Sequence, residues 1–257
     1  RRVAQTLLAL FSPIYVFQVT RGLGGTEKTA ILYVILYIFF VLIFKFVSMV
    51  YAENLSQRVG FKGTVWVSSI PFFLIIPLLI LASINFYLFF VAAVFWGIHS
   101  GLYWWGYHGY FIKSGDTGAY GQGIGEAKFL DTLAIVLTPI FGAVVTEAFG
   151  FFSTFILAGV FMLATLIVLG RKNDVAQKRD VKLPEVIALI KSHKSVSLAY
   201  VGLQAEFTYY AVAWPLFLFL VFGRVISLGI IVSAATLIAA IAGVGIGRLV
   251  DKKGERR

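Results

Sequence analysis

The sequence predicts an all-α, polytopic membrane protein. Three observations carry this. Of its 257 residues 60% are hydrophobic and only 13% charged, with a mean hydropathy of +0.90, where a soluble domain has roughly 25% charged residues. The apolar residues gather in stretches close to the ~20 that a helix needs to cross a bilayer. No stretch sustains the two-residue alternation of a barrel strand, and open strands cannot span lipid, so the crossings are read as helices.

Eight spans follow in order. The first is Val3–Val19. Arg1-Arg2 before it resembles a secretory signal, but no small-residue cleavage site follows, and Pro13, Tyr15 and Gln18 sit where a signal core would end. A glycine-rich connector, Thr20–Lys28, leads to the second span, Thr29–Ala52, and a polar turn, Glu53–Gly63, to the third, Thr64–Ser83. A short connection through Asn85 enters the fourth, Phe86–Ile112. The loop Lys113–Gly123 precedes the fifth, Ile124–Ala148, and Gly150 turns the chain into the sixth, Phe151–Leu169. Gly121-Gln122-Gly123-Ile124-Gly125 lacks the Gly-Lys-Ser/Thr ending of a phosphate loop and reads as a helix start. Within the polar stretch Arg171–Ser195, Pro184–Ile190 predicts a short interfacial helix, because Pro suits a first helical turn. The seventh span is Val196–Phe222 and the eighth Ile226–Val250.

Charge sets the expected orientation. With Arg1-Arg2 inside, one set of loops holds 18 of the 22 basic residues and the opposite set only Arg21, Lys28 and Arg224. The positive-inside rule places the N-terminus and the 2–3, 4–5, 6–7 and 8–9 loops in the cytoplasm, in a plasma (inner) membrane. The net charge of +10 is therefore a topology signal and not a nucleic-acid surface. The chain has no cysteine, which excludes disulfides and thiol chemistry. Nothing in it calls for a cofactor or a metal.

Two segments repeat. Ser12-Pro13-Ile14-Tyr15-Val16-Phe17 precedes a glycine connector, a long apolar run and then Gln57-Arg58-Val59-Gly60-Phe61-Lys62. Trp214-Pro215-Leu216-Phe217-Leu218-Phe219 precedes Gly223, a long apolar run and then Asp251-Lys252-Lys253-Gly254-Glu255-Arg256. Six spans lie between Gly60 and Gly254, so the unit of duplication is six helices. The expected division is a first half at 1–170, a linker at 171–195 and the start of a second half at 196–257. The chain does not begin with Met and stops in a basic turn, and four further spans are expected after Arg257.

Over its whole length the chain resembles the major facilitator superfamily of secondary transporters. Gly247, Asp251, Lys252, Gly254 and Arg256 match that family's cytoplasmic loop motif, a glycine followed by Asp-Arg/Lys-x-Gly-x-Arg/Lys. In the first copy Arg58, Gly60 and Lys62 fit, while Glu53 stands for the leading glycine and Gln57 for the acid. Pro139 and Gly142 echo a Gly-Pro-x-x-Gly-Gly pattern of the fifth helix. The resemblance implies two six-helix bundles, with helices one, four, seven and ten lining a central path. It implies a small solute moved across the lipid bilayer by alternating access, with protons or another ion as coupling partner. Few intramembrane charges and many aromatics lean towards a neutral or amphipathic solute. The competing readings are a transporter-like sensor or scaffold without flux and, further off, a membrane-embedded enzyme. His99 and Ser100 are adjacent, so on a helix they point about 100° apart and form no dyad.

Several intramembrane residues are candidates for the site. His99 lies mid-span, and Trp96, His99, Tyr103 and Tyr107 recur at three- and four-residue intervals, which puts them on one face. That face either borders the cavity or packs on a neighbouring helix. Glu206 is the only acid of the seventh span, about 15 Å inside it. It is the proton-coupling candidate, or else a hydrogen-bond anchor; Gln204, Tyr209 and Tyr210 lie beside it. Lys45 either snorkels or meets an acid across the bundle. Asp131 is expected near inner-side water, and Trp104, Trp105 and Tyr110 in an interfacial belt. Asp251 is expected either to latch onto the start of the fifth helix, where unpaired N–H groups attract a carboxylate, or to stay a solvated turn acid.

Overall fold

A computed structural model describes residues 1–114, 120–170 and 183–254, and these are helical apart from short connections. The helices are α1 (Arg2–Gly22), α2 (Glu27–Leu81), α3 (Leu88–Ser114), α4 (Tyr120–Gly170), α5 (Leu183–Ser192), α6 (Lys194–Thr208), α7 (Trp214–Phe222) and α8 (Val225–Gly254). A π-helical segment, Tyr209–Ala213, joins α6 to α7 without a break. Among the described residues six helices are long and apolar enough to cross a membrane, counting α6 to α7 as one.

Two of the six are double crossings. α2 has 55 residues and α4 has 51, about 80 and 75 Å if straight, against a hydrocarbon core of about 30 Å. Each is folded at one glycine. Gly60 has φ 76°, ψ 170° and Gly150 φ 82°, ψ 169°, a region open essentially to glycine alone. Contacts across the folds show that the chain turns back. Thr146 and Thr154, eight residues apart, share a hydrogen bond of 2.7 Å beside Gly150; on a straight helix they would be about 12 Å apart. α3 touches both arms of α2: Gly97 and Gly101 lie on Val41, Lys45 and Ser48, while Gly106 and Gly109 lie on Phe61. These glycines are needed because a Cβ on Gly101 would collide with Ser48 Oγ and one on Gly109 with the Phe61 ring.

The polar stretch 53–63 is therefore helix on both sides of a one-residue turn, not the loop its composition predicts. Two of its polar side chains, Glu53 and Ser56, are buried, and Trp105 Nε1 of α3 donates to Ser56 Oγ at 3.4 Å. That contact also gives Trp105 a packed position. Likewise α4 begins at Tyr120, inside the expected loop, and α8 runs through the expected charged turn to Gly254. The short amphipathic helix expected at 184–190 is present as α5, with Ile187, Leu189 and Ile190 exposed.

α1 is the axis of the bundle. Of its apolar window 72% is buried, against 22–39% for the other five membrane-length helices. It starts among Tyr103, Trp104 and Tyr107 at the end of the bundle that holds Gly60. It finishes at the opposite end, where Tyr15 packs its ring on Phe151, Phe152 and Phe155 just past Gly150. At the Gly60 end Lys62 Nζ donates to Gly170 O at 3.2 Å, which puts a cation on the last carbonyl of α4.

The two kinds of glycine separate in a stability test. Gly150→Ala has room for its Cβ but a forbidden φ, and should cost about 1–3 kcal/mol. Gly202, within α6, also has open space and no positive φ; Gly202→Ala should leave stability unchanged or raise it by up to ~1 kcal/mol. Thermal unfolding of the purified full-length protein, followed by monodisperse fraction, reads both.

Candidate functional site

A cavity of about 290 Å³ lies between α1, the first arms of α2 and α4, α3, α8 and the α6–π segment. The three least apolar crossings, α1, α3 and 194–222, are among those that form it. Several of their polar residues, among them Gln5, His99, Gln204 and Thr208, face the cavity rather than lipid.

His99 stands in the wall and is fully buried. Its Nδ1 lies 2.8 Å from Ser68 O. A carbonyl only accepts, so Nδ1 carries the proton and the ring is the neutral tautomer with Nε2 as acceptor. The Gln5 amide donates to that nitrogen at 3.4 Å. His99 thus ties α1, α3 and the second arm of α2 together, with both ring nitrogens engaged. The aromatic stripe continues along α3: Trp96 stacks on His99 at 5.6 Å, His99 on Tyr103 at 5.5 Å and Tyr103 on Tyr107 at 6.0 Å. Trp96 lines the cavity. Tyr103 is buried and absent from the lining; with Trp104 and Tyr107 it forms an aromatic clamp on Arg1, whose guanidinium carbon lies 3.8 Å above the Tyr107 ring. Trp104, expected in an interfacial belt, lines the cavity as well. Asp131 pairs with Arg1 at 3.6 Å.

Lys45 enters the cavity from the first arm of α2. Its Nζ donates to Gln204 Oε1 at 3.2 Å, so it meets an amide across the bundle and not the acid that its sequence position invited. Gln204 and Thr208 line the cavity one turn apart on α6, and Thr208 Oγ1 bonds Gln204 O at 2.8 Å. The π segment comes next. Pro215 has no N–H and its ring excludes the carbonyl four residues back; the helix widens just before it, and Trp214 N–H bonds Tyr209 O, five residues back. Widening shifts the phase of the following residues. Tyr210 lines the central cavity, while Tyr209 lines a second, apolar cleft of about 440 Å³ between α2, the π segment and α7. Glu206 is exposed and outside the cavity lining, so the structure does not bring it together with His99 and Trp96.

The loop-motif residues divide in the same way. Arg58 is exposed, Gly60 makes the fold of α2 and Lys62 caps α4. Gly247, Asp251, Lys252 and Gly254 lie on the backbone of α8 near its end, with Gly254 closing the helix. Their side chains, and all of Arg256, lie outside the described residues.

Other contacts join the first six crossings to the seventh and eighth towards the Gly150 end. Arg224 donates twice to Glu147 Oε1, at 3.2 Å from Nε and 3.0 Å from Nη2. Ile140 N–H donates to Ser233 Oγ at 3.1 Å, Gly229 packs on Ala143 and Pro139, and Phe17 meets Phe219 edge-on at 6.2 Å. From Gln204 back towards its start, α6 presents Leu203, Val201, Tyr200, Leu198 and Val196 to the outside.

A bundle of long apolar helices around a central cavity with a few polar groups in its wall defines the class, a polytopic membrane protein. The family model described as Major Facilitator Superfamily matches residues 3–257, and the chain belongs to that family of membrane transporters. No curated protein and no solved structure matches it.

Accessibility of cysteines tests the geometry, since the chain has none of its own. Trp96→Cys and Ser100→Cys, both at the cavity, should react with a small water-soluble thiol reagent at least tenfold faster than Tyr103→Cys. Equal rates at all three positions would contradict the buried placement of Tyr103.

Proposed function

We propose that this protein moves a small solute across the membrane by alternating access, with the first six crossings and the second unit rocking about the cavity. The cavity carries this reading. It lies between the two units, is lined by both, and holds a polar contact, Lys45–Gln204, that spans them. The distribution of basic residues supports a cytoplasmic Gly60 end. In that orientation the contacts from Arg224–Glu147 to Phe17–Phe219 close the outer end, and the structure corresponds to a chamber facing inwards. The cavity-lining aromatics and amides then serve as solute contacts, foremost Trp96, Gln204 and Tyr210.

Glu206 is our candidate for proton coupling, as the only acid of the seventh span. Its exposure means that this role would operate at the rim of the α6 face and not inside the cavity. In the full-length protein Glu206→Gln should abolish gradient-driven uptake and spare solute exchange. Driven uptake at the unaltered rate and pH dependence would remove Glu206 from coupling.

The Arg224–Glu147 clasp provides the test of alternating access, because rocking must break it. In full-length protein reconstituted into liposomes, Glu147→Cys/Arg224→Cys should be joined by a short, reducible bis-methanethiosulfonate cross-linker, since the side chains that meet are longer than a direct disulfide spans. Flux of a transported solute, found by screening a panel, should fall to background in the cross-linked state and recover on reduction. A cross-linked protein that transports at the reduced rate would overturn the proposal, and so would the absence of flux for every member of a broad panel.

A further inference from the structure

We infer that the central cavity binds a small organic anion, a carboxylate with an apolar body, whose charge meets Lys45 and which enters past Arg2. The inference deepens the transport reading and rests on it for its physiological meaning.

The charges that line the cavity are of one sign. Arg2 and Lys45 are both in its wall, and no Asp or Glu is among its described lining residues. Lys45 stands 15 residues before the Gly60 fold, about 22 Å along the helix, too deep for its amine to reach the interface. Its Nζ has three N–H groups. Gln204 takes one of them and, being neutral, leaves the charge uncompensated. The ion pairs found among the described residues are Arg1–Asp131 and Arg224–Glu147, and neither involves Lys45. A cation at this depth is costly, and such groups are kept where they face a partner or a watery path.

The mouth repeats the pattern. Asp131 is engaged with Arg1, which also rests on the aromatic clamp. Arg2 stands beside them, half-buried, its Nε without an acceptor among the described residues; Asp131 acts on it as well, so one carboxylate is shared by two guanidinium groups and a net positive charge is left at the mouth. His99 adds no charge, since both of its nitrogens are engaged in the neutral form. Low-dielectric walls around charges of one sign focus the field, so the chamber attracts anions and repels cations.

The remainder of the lining decides what kind of anion. Leu42, Ile135, Val232 and the ring of Trp96 are apolar, and they offer nothing to a hydrated inorganic ion. The volume lies at the lower edge of the range of about 300–1,000 Å³ for small-molecule pockets, which suits a compact organic acid. The sequence alone leans towards a neutral or amphipathic solute because it shows few intramembrane charges and many aromatics. The structure adds its convergence with Arg2.

The test uses the full-length protein with matched probes: hexanoate, benzoate and 3-phenylpropionate, each beside its primary amide and its corresponding amine. Quenching of tryptophan fluorescence reports binding, since Trp96 and Trp104 line the cavity. At least one carboxylate should saturate and bind at least tenfold more tightly than its own amide, with the amine weaker still. Lys45→Gln should bring acid and amide within twofold, and Lys45→Arg should keep the preference. If Lys45→Gln does not fold, the comparison in the unaltered protein decides alone. No saturable carboxylate, parity of acid and amide, or a preference that survives Lys45→Gln would each overturn the inference. Counterflow in liposomes separates it from the transport reading. Carboxylates that bind without flux leave the anion site and remove transport. Flux of a neutral or cationic solute that carboxylates do not inhibit leaves transport and removes the anion site.

Discussion

The bond from His99 to the Ser68 carbonyl holds the chamber wall in place. In an apolar medium an unpaired polar group is costly, so the imidazole, once placed on α3, dictates what stands opposite it. It finds a carbonyl on the second arm of α2 and an amide on α1. Three crossings are thereby tied in register, and the ring row from Trp96 to Tyr107, set by its helical spacing, runs along the same face of α3. The cavity is the space on the far side of this wall. His99, a cavity candidate by its place in the span, is thus also a structural tie in the cavity wall.

Glycine recurs where crossings meet. Inside the first six crossings α3 is laid against backbone of α2 at successive glycines. The same device brings α8 onto α4, where Gly229 packs on Pro139 and Ala143. Beside it stands an exposed ion pair, Arg224 with Glu147. Exposed pairs contribute little net stability, typically up to about 1 kcal/mol, so the close backbone approach is the stronger part of that contact.

Much of the fold is legible in the sequence because lipid leaves few options. Runs of apolar residues near the crossing length are helices, and Gly150 reads as a turn. The misread segments, 53–63 and the start of α4, are those where polar residues suggest a loop. Composition cannot distinguish a polar residue facing water from one buried beneath a neighbouring helix, as Ser56 is beneath Trp105. The aromatic stripe of α3 is legible from its spacing, but its partners are not. Lys45 and Gln204 are 159 residues apart, and no local pattern connects them. The clamp on Arg1 is hidden for the same reason. The π segment did leave a signal, since Pro215 within a helix-length run announces a missing hydrogen bond. Its effect, sending Tyr209 and Tyr210 to different clefts, follows only from the backbone itself.

The glycine folds at 60 and 150 have almost the same dihedral angles and lie at opposite ends of the bundle. Each closes a three-crossing piece made of one single helix and one folded helix, 21 and 55 residues in the first piece and 27 and 51 in the second. The two pieces thus share one plan and turn at opposite ends. The positive φ at each fold bars a Cβ although there is space for one at Gly150, so each turn hangs on a single residue and one added methyl group would strain it.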